Sequence, residues 1–283
     1  MRRTYDGAVA IVTGGASGIG LAIARELIAR GAVSVTLADV REEAASAAAS
    51  ILGPRARCAA LDVRSLAACR ALVDATVARE GRLDFLFANA GVGLYAAVER
   101  HAPEDWARLF EVNVGGVVNA IQAAYPQMIA QGSGHLVTTA SFLGRMPAPM
   151  VAGYVASKHA IVGLTRALRV EAAAHGVRAS VLCPGVVRTA FLDAGVRAHT
   201  PIEPARIAAW RAGVKPIEPE EVARVALDGV ARNREIIVAP RSLAFGLWLC
   251  RVFPALERRL LARDLARTRK LLPELFTPTR SAS

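Results

Sequence analysis

The sequence is poor in cysteine and aromatic residues: 283 residues contain four cysteines, and Phe, Trp and Tyr make up 5%. Cys58, Cys69, Cys183 and Cys250 form no CxxC pair and sit in segments that otherwise read as strand or helix. A disulfide framework is therefore not expected, and a reducing, cytoplasmic setting is. Long apolar runs are missing too. Ala8 to Val12 is a run of five residues, too short for the core of a secretion signal, and reads as a first strand. Leu243 to Cys250 falls far below the roughly 20 residues of a membrane span, and Pro254 interrupts it. His101, His135, His159, His175 and His199 are scattered, without HExxH or carboxylates at ligand spacing, so no metal is expected. No GxSxG elbow suggests a hydrolase. Repeats and low-complexity linkers are absent, and alanine-rich Ala44 to Ala49 is adequately read as a small-sided helix.

Charge is unevenly spread. The net charge is +11, but from Arg241 onward nine Lys/Arg face three Asp/Glu, a balance of +6, which leaves +5 for the preceding 240 residues. The tail is basic, and neither zinc-finger spacing nor an aromatic-rich RNP sequence accompanies it, so nucleic acid is not an expected partner.

What is present is apolar bulk: 53% hydrophobic against 21% charged residues, the balance of a packed chain. From Ala8 to about Pro240, short β-branched runs alternate with helical patterns. The strand candidates are AVAIVTG, VSVTLAD, RCAALDV, LDFLFANAG, GHLVTTAS, RASVLCPG and EIIVAP. In LAIARELIARG, Ile19, Ile23 and Leu27 recur every four residues and Gly31 can close the helix. The expected fold is α/β: a Rossmann-type, doubly wound, seven-stranded parallel sheet with helices on both faces, plus a helical C-terminal extension. Ligands bind such sheets at the carboxyl ends of the strands. Phe191 to Pro219, with prolines at 201, 204, 216 and 219, reads as a loop with a short helix.

Thr13-Gly14-Gly15-Ala16-Ser17-Gly18-Ile19-Gly20 follows a strand and opens a helix, the context of a dinucleotide-binding loop. Glycines permit the tight turn and let the backbone approach a pyrophosphate at the helix N-terminus. Nineteen residues after Gly20, Asp39 ends the second strand, near the distance at which a carboxylate grips adenosine ribose hydroxyls. A carboxylate there favours NAD and repels the extra phosphate of NADP. The alternatives are an ordinary strand-end or capping aspartate, and Arg41 nearby as a receiver of that phosphate.

Farther along stand Asp62-Val63, Asn89-Ala90-Gly91, Asn113, Ser141, Tyr154, Lys158, Pro184-Gly185 and Thr189. With the loop they resemble, in order, the motifs of the classical short-chain dehydrogenase/reductase (SDR) family, over about residues 6 to 240. The resemblance implies a catalytic set of Asn113, Ser141, Tyr154 and Lys158. It also implies cofactor contacts at Gly14, Ser17, Gly18, Ile19, Gly20, Asp39, Asp62, Val63, Asn89, Ala90, Gly91, Tyr154, Lys158, Pro184, Gly185, Val187 and Thr189. In it Lys158 holds the nicotinamide ribose, Ser141 bonds the substrate oxygen, and Asn113 supports the lysine through a water-linked proton path.

Part of this chemistry follows from spacing alone. Tyr154 and Lys158 are four apart on a helical pattern and share a face, where an ammonium would lower the phenol from its ordinary value of about 10. An isolated YxxxK can equally be a surface pair, and an isolated serine a cap; Ser141, thirteen residues ahead at a strand end, argues against coincidence.

The expected activity is hydride transfer between NAD(H) and a secondary alcohol or ketone, with Tyr154 as acid and base. Residues expected near the pocket by resemblance, Leu143, Met146, Pro147, Met150, Val151, Val186, Phe191 and Leu192, are mostly apolar, with Arg145 and Arg188 nearby, and suit an apolar substrate. The alternatives are an NADP-dependent reductase of the same fold and a non-catalytic nucleotide-binding scaffold. A homodimer or homotetramer is expected. The division expected is 1–240 as the catalytic domain and 241–283 as its basic amphipathic extension, in which Leu256, Leu260, Leu261, Leu265, Leu271 and Leu272 interleave with arginines. Such a helix can cover the pocket or a neighbouring subunit, the favoured reading, or lie on an anionic membrane surface.

Overall fold

The computed structural model describes residues 4–191 and 216–276. Seven parallel strands form one sheet: β1 (Val9–Thr13), β2 (Ser34–Asp39), β3 (Ala56–Ala60), β4 (Phe85–Ala88), β5 (Gly134–Thr139), β6 (Val177–Pro184) and β7 (Ile236–Ala239). Their order is β3-β2-β1-β4-β5-β6-β7. The chain winds outward from β1 in one direction and from β4 in the other, so a crevice opens between the two strands at their carboxyl ends.

Every residue of β1 and β2 is buried, as a sheet covered on both faces requires. Alternation divides them between two cores: Ile11 faces one side while Ala10 and Val12 face the other. On the first side lie α3 (Leu66–Glu80), α5 (Gly116–Gln131) and α6 (Ala152–Ala173). On the second lie α1 (Gly18–Ala29), α2 (Glu42–Leu52) and α7 (Pro219–Ala231). The expected Rossmann-type α/β architecture is what the chain forms. His135 is structural: its Nε2 lies 2.8 Å from the Ser180 hydroxyl in the interior, and burial pulls its pKa down to about 3, so it stays neutral.

A long helical stretch crosses the first side in three pieces. The helix α4 (Pro103–Phe110) passes into a wider, π-type turn at Glu111–Gly115 and then into α5. The turn inserts one residue into the helical register, and Asn113 lies at its centre, fully buried.

Beyond β7 the extension forms α8 (Arg241–Val252) and α9 (Pro254–Leu271), followed by a 3₁₀ turn at Pro273–Phe276. Leu247 and Cys250 are buried on the inner face of α8, while Leu272 is buried against Met150, Leu271 and Phe276. The apolar face expected of α9 is only partly covered: Leu256, Leu261 and Leu265 are half-buried and Leu260 is exposed. No described helix is long and apolar enough to cross a membrane. The expected loop over Phe191 to Pro219, with Leu192, falls outside the described residues except at Phe191 and 216–219.

Candidate active site

Between β1 and α1 the chain turns through Gly14 at a φ of +63°, a left-handed conformation that favours glycine. A Cβ on Gly14 would lie 2.9 Å from the Ala90 Cα, so the loop packs directly on the Asn89-Ala90-Gly91 segment after β4. Side chains tie the two strands together. The Thr13 hydroxyl accepts from the Asn89 and Ala90 amides at 3.0 and 3.1 Å, and the Asn89 Nδ2 donates to the Thr13 carbonyl at 3.2 Å. Gly20 faces the Gly14 carbonyl and Asn89 Nδ2, Ile19 packs half-buried into the second core, and Thr189 stands over Gly18, 3.0 Å from where a side chain would begin. The Ser17 side chain makes no cap bond to α1, so the positive end of the helix dipole faces the crevice without a side-chain cap.

Asp39 is buried at the end of β2. One carboxylate oxygen accepts from the Ala16 amide at 3.2 Å, and the other from the Arg41 amide and Nε at 3.1 and 3.3 Å. Arg41 also donates to the Ser17 hydroxyl at 3.0 Å. Sequence reading noted Arg41 but missed that one guanidinium would link Asp39 to the glycine loop. Past β3, Asp62 is held by Arg64, whose Nε donates at 2.9 Å and whose guanidinium keeps the carboxyl below the usual range. The Val63 carbonyl accepts from Asn119 at 2.9 Å. Neither Arg64 nor Asn119 stood out in the sequence, since neither belongs to a motif.

Four of the expected residues meet at the carboxyl ends of β4 to β6. Ser141, just past β5, is buried and accepts from the Leu143 amide at 3.2 Å, with its hydroxyl close enough to the Tyr154 phenol to oppose the rise in its pKa. Tyr154 and Lys158 lie one turn apart on α6, and the Lys158 ammonium sits 5.5 Å from the centre of the tyrosine ring. Lys158 donates to the Thr139 carbonyl at 3.0 Å. Asn113 accepts from the Val92 amide at 2.8 Å, and its Nδ2 donates to the Val92 carbonyl at 2.9 Å and to the Ser157 hydroxyl at 3.2 Å. Ser157 in turn donates to the Tyr154 carbonyl at 2.8 Å. A Cβ on Gly91 would fall 3.2 Å from Asn113 Oδ1 and 3.5 Å from Lys158 Nζ, so the bare backbone there keeps open the gap between them.

The electrostatics differ from the sequence expectation. Lys158 was expected to lower the Tyr154 phenol; instead burial raises it above its usual 10, Tyr95 adds to the rise, and the nearby Ser141 hydroxyl opposes it. Burial acts oppositely on the lysine and pulls it down to about 8. Both shifts favour neutral groups, the response of a closed, weakly polar site. Cys183, pushed up to about 12 by the same burial, stays a thiol.

Around Tyr154 the wall is apolar: Leu94, Leu109 and Val151 are buried with it, and Leu143, Tyr95 and Phe191 pack against them. The Phe191 ring centre lies 5.9 Å from that of Tyr154. Of the other residues expected here, Met150 faces the tail, Met146 packs on the first core, Pro147 is exposed, and Arg188 pairs with Glu218 at 2.7 Å. Val187 is buried beside Val186, and Gly185 donates to the Ala239 carbonyl at 2.7 Å while Leu243 of α8 covers it. Among the described residues no three His, Cys, Asp or Glu side chains gather as a metal site.

The family profile for short chain dehydrogenase matches residues 8–199. The chain belongs to the short-chain dehydrogenase/reductase family. Among relatives of this short-chain dehydrogenase, oxidoreductase UcpA of Salmonella typhimurium is 36% identical over 227 residues, 78% of this chain and 86% of UcpA. Putative oxidoreductase SadH of Mycobacterium tuberculosis is 31% identical over 270 residues, 93% of this chain and 97% of SadH. A short-chain dehydrogenase/reductase from Burkholderia phymatum, solved in complex with NAD, superposes with a TM-score of 0.80 at 31% identity, covering 91% of this chain and 97% of that one. The last two similarities cover more of this dehydrogenase than the segment matched by the family profile.

Proposed function

We propose that the chain is an NAD-dependent dehydrogenase or reductase acting on an apolar secondary alcohol or ketone, with Tyr154 as general acid and base. The observation that carries this reading is the meeting of Tyr154, Ser141 and Lys158 in a buried, apolar-walled site at the carboxyl edge of the sheet. A dinucleotide suits the crevice because the crowding at Gly14 and Gly18 leaves backbone, not side chain, facing the start of α1. Residues 14–20, Asp39, Asp62-Val63, Asn89–Gly91, Lys158 and the segment from Pro184 to Thr189 would hold it. When bound, the nicotinamide supplies or takes up the hydride.

The protein moves the proton. Ser141 holds the substrate oxygen, and Tyr154, kept protonated by burial, donates to a carbonyl oxygen as it is reduced. In the reverse direction the phenolate accepts the alcohol proton, with the Lys158 ammonium stabilising its charge. Asn113 and Ser157 position the turn of α6 that carries the tyrosine. Residues 1–240 form the catalytic domain and 241–283 its extension, and the enzyme assembles as a homodimer or homotetramer, as the family resemblance suggests.

The NAD preference is supported by the buried Asp39 carboxylate and by the NAD complex of the Burkholderia relative. NADP is the second reading, favoured by Arg41: its side chain is 60% exposed and puts a cation beside the loop, the charge a 2′-phosphate requires. A non-catalytic scaffold would have no need of the buried lysine. The test is a panel of hydrophobic secondary alcohols and ketones with both cofactors, followed at the nicotinamide absorbance. Tyr154→Phe should lower kcat by about 10²- to 10⁴-fold while retaining cofactor affinity. Near wild-type turnover in that variant rejects the assignment.

A further inference from the structure

The two helices after β7 turn different faces in opposite directions. Inward, Leu243 lies against Gly185 and Leu247 and Cys250 are buried. Outward, Arg241, Phe245, Trp248 and Val252 recur at spacings of four, three and four, a stripe along one side of α8. Phe245 is 67% exposed, Trp248 53% and Val252 47%, and the rings of Phe245 and Trp248 stack at 5.8 Å. Phe253 at 53% and Leu260 at 43% continue the apolar surface past the end of α8. Among the described residues, half of the ten large apolar side chains left exposed lie between 245 and 260, and every exposed Phe or Trp is there. So dense a patch marks an interaction surface rather than scattered surface apolarity.

Charge identifies the occupant. From Arg241 to Lys270 eight basic residues face only Glu257 and Asp264. Arg251, Arg258, Arg259 and Arg263 are exposed and form no ion pair among the described residues. A second copy meeting this face across a two-fold axis would set these arginines against their own duplicates, with no carboxylate excess to offset them. An anionic lipid surface complements both features: aromatic rings settle at the headgroup level, and arginines are attracted to negative headgroups.

We infer that the outward face of α8 and the start of α9 is a peripheral docking surface for an anionic bilayer. The chain lies on the membrane, with Phe245, Trp248 and Phe253 entering the interface and the arginines at the headgroups. Because α8 starts where β7 ends, docking brings the carboxyl edge of the sheet toward the lipid, where apolar compounds concentrate. The binding itself does not depend on the reaction proposed above.

The test is sedimentation of the full chain with phosphatidylglycerol and with phosphatidylcholine vesicles, alongside size-exclusion chromatography without lipid. Binding to the phosphatidylglycerol vesicles should exceed binding to phosphatidylcholine by at least about tenfold and fall as salt rises. Phe245→Ser/Trp248→Ser and, separately, Arg259→Glu/Arg263→Glu should each weaken it by about tenfold or more, with turnover of a water-soluble alcohol unchanged. Absent binding to phosphatidylglycerol vesicles, or binding that both variants retain, overturns the inference. So does a concentration-dependent oligomer that Phe245→Ser/Trp248→Ser dissociates, because the patch would then be a contact between copies.

Discussion

Lys158→Met should make the protein more stable at neutral pH while removing its activity. The Lys158 side chain is buried, 3% exposed, and burial lowers its pKa from 10.5 to about 8. Its folded value is therefore below its unfolded value. Below about pH 8 both states carry the proton and the folded state bears the full cost of burying it; between about 8 and 10.5 the unfolded chain holds more protons, and stability rises with pH. The drop from 10.5 to about 8 corresponds to about 3 kcal/mol at pH 7. Against this stands the bond to the Thr139 carbonyl, a charged-donor hydrogen bond of about 1.5–3 kcal/mol. The net expectation is a gain of about 1 kcal/mol at pH 7, or a Tm about 2–4 °C higher, for a chain of this size. Thermal unfolding of wild type and variant at pH 7 and pH 9.5 measures it. Tyr154, Cys183 and Tyr5 are all raised by burial, Cys183 to about 12 and the tyrosines further, so they stay protonated at both pH values and the difference between the two curves reports the lysine. The advantage of the variant should shrink at pH 9.5 as turnover stays absent at both. A variant less stable at pH 7, or a difference that ignores pH, refutes the reasoning.

Asp39→Ala should narrow or reverse the preference for NAD, and Arg41→Ala should lower whatever NADP activity exists; kcat/KM for both cofactors decides, and equal efficiencies in the unmutated enzyme defeat the carboxylate argument. Gly14→Ala forces a side chain into a φ of +63° and against Ala90, which should weaken cofactor affinity far more than it lowers Tm, read by titration of nicotinamide fluorescence. Leu247→Ala should cost about 2–5 kcal/mol in chemical unfolding, and truncation after Pro240 should cause aggregation or a changed assembly by size-exclusion chromatography, because Leu247 belongs to the core on the first side of the sheet and Leu243 packs against it.

The strands were legible because burial on both faces demands continuous β-branched runs, and VAIVT or SVTLAD has no other comfortable place. Ser141, Tyr154 and Lys158 were legible because a strand end and one helical turn bring them to a common place. What escaped depends on long-range geometry. Nothing local says that Arg41 reaches back to Ser17, that Asn119 reaches the Val63 carbonyl, or that Ser157 links Asn113 to the tyrosine turn. The sign at Tyr154 escaped for the same reason: spacing reveals the neighbouring ammonium, but only the packed site reveals how completely the phenol has left water. The tail shows a third limit, since a leucine pattern names an apolar face without saying how much of it is covered; Leu260 is exposed and Leu272 is buried.

The π-type turn at Glu111–Gly115 makes chain length, as well as side-chain identity, a determinant of this site. A single insertion in an α-helix rotates all that follows by about 100° and advances it about 1.5 Å, and here that offset aims Asn113 at Val92 and Ser157. Deleting one residue between 111 and 115 would heal the helix, strengthen its hydrogen-bond ladder and turn the asparagine away from its partners. Such a deletion would preserve helix content while dismantling the site, and a sequence alignment that places its gap elsewhere along the helix would match the wrong residue to Asn113.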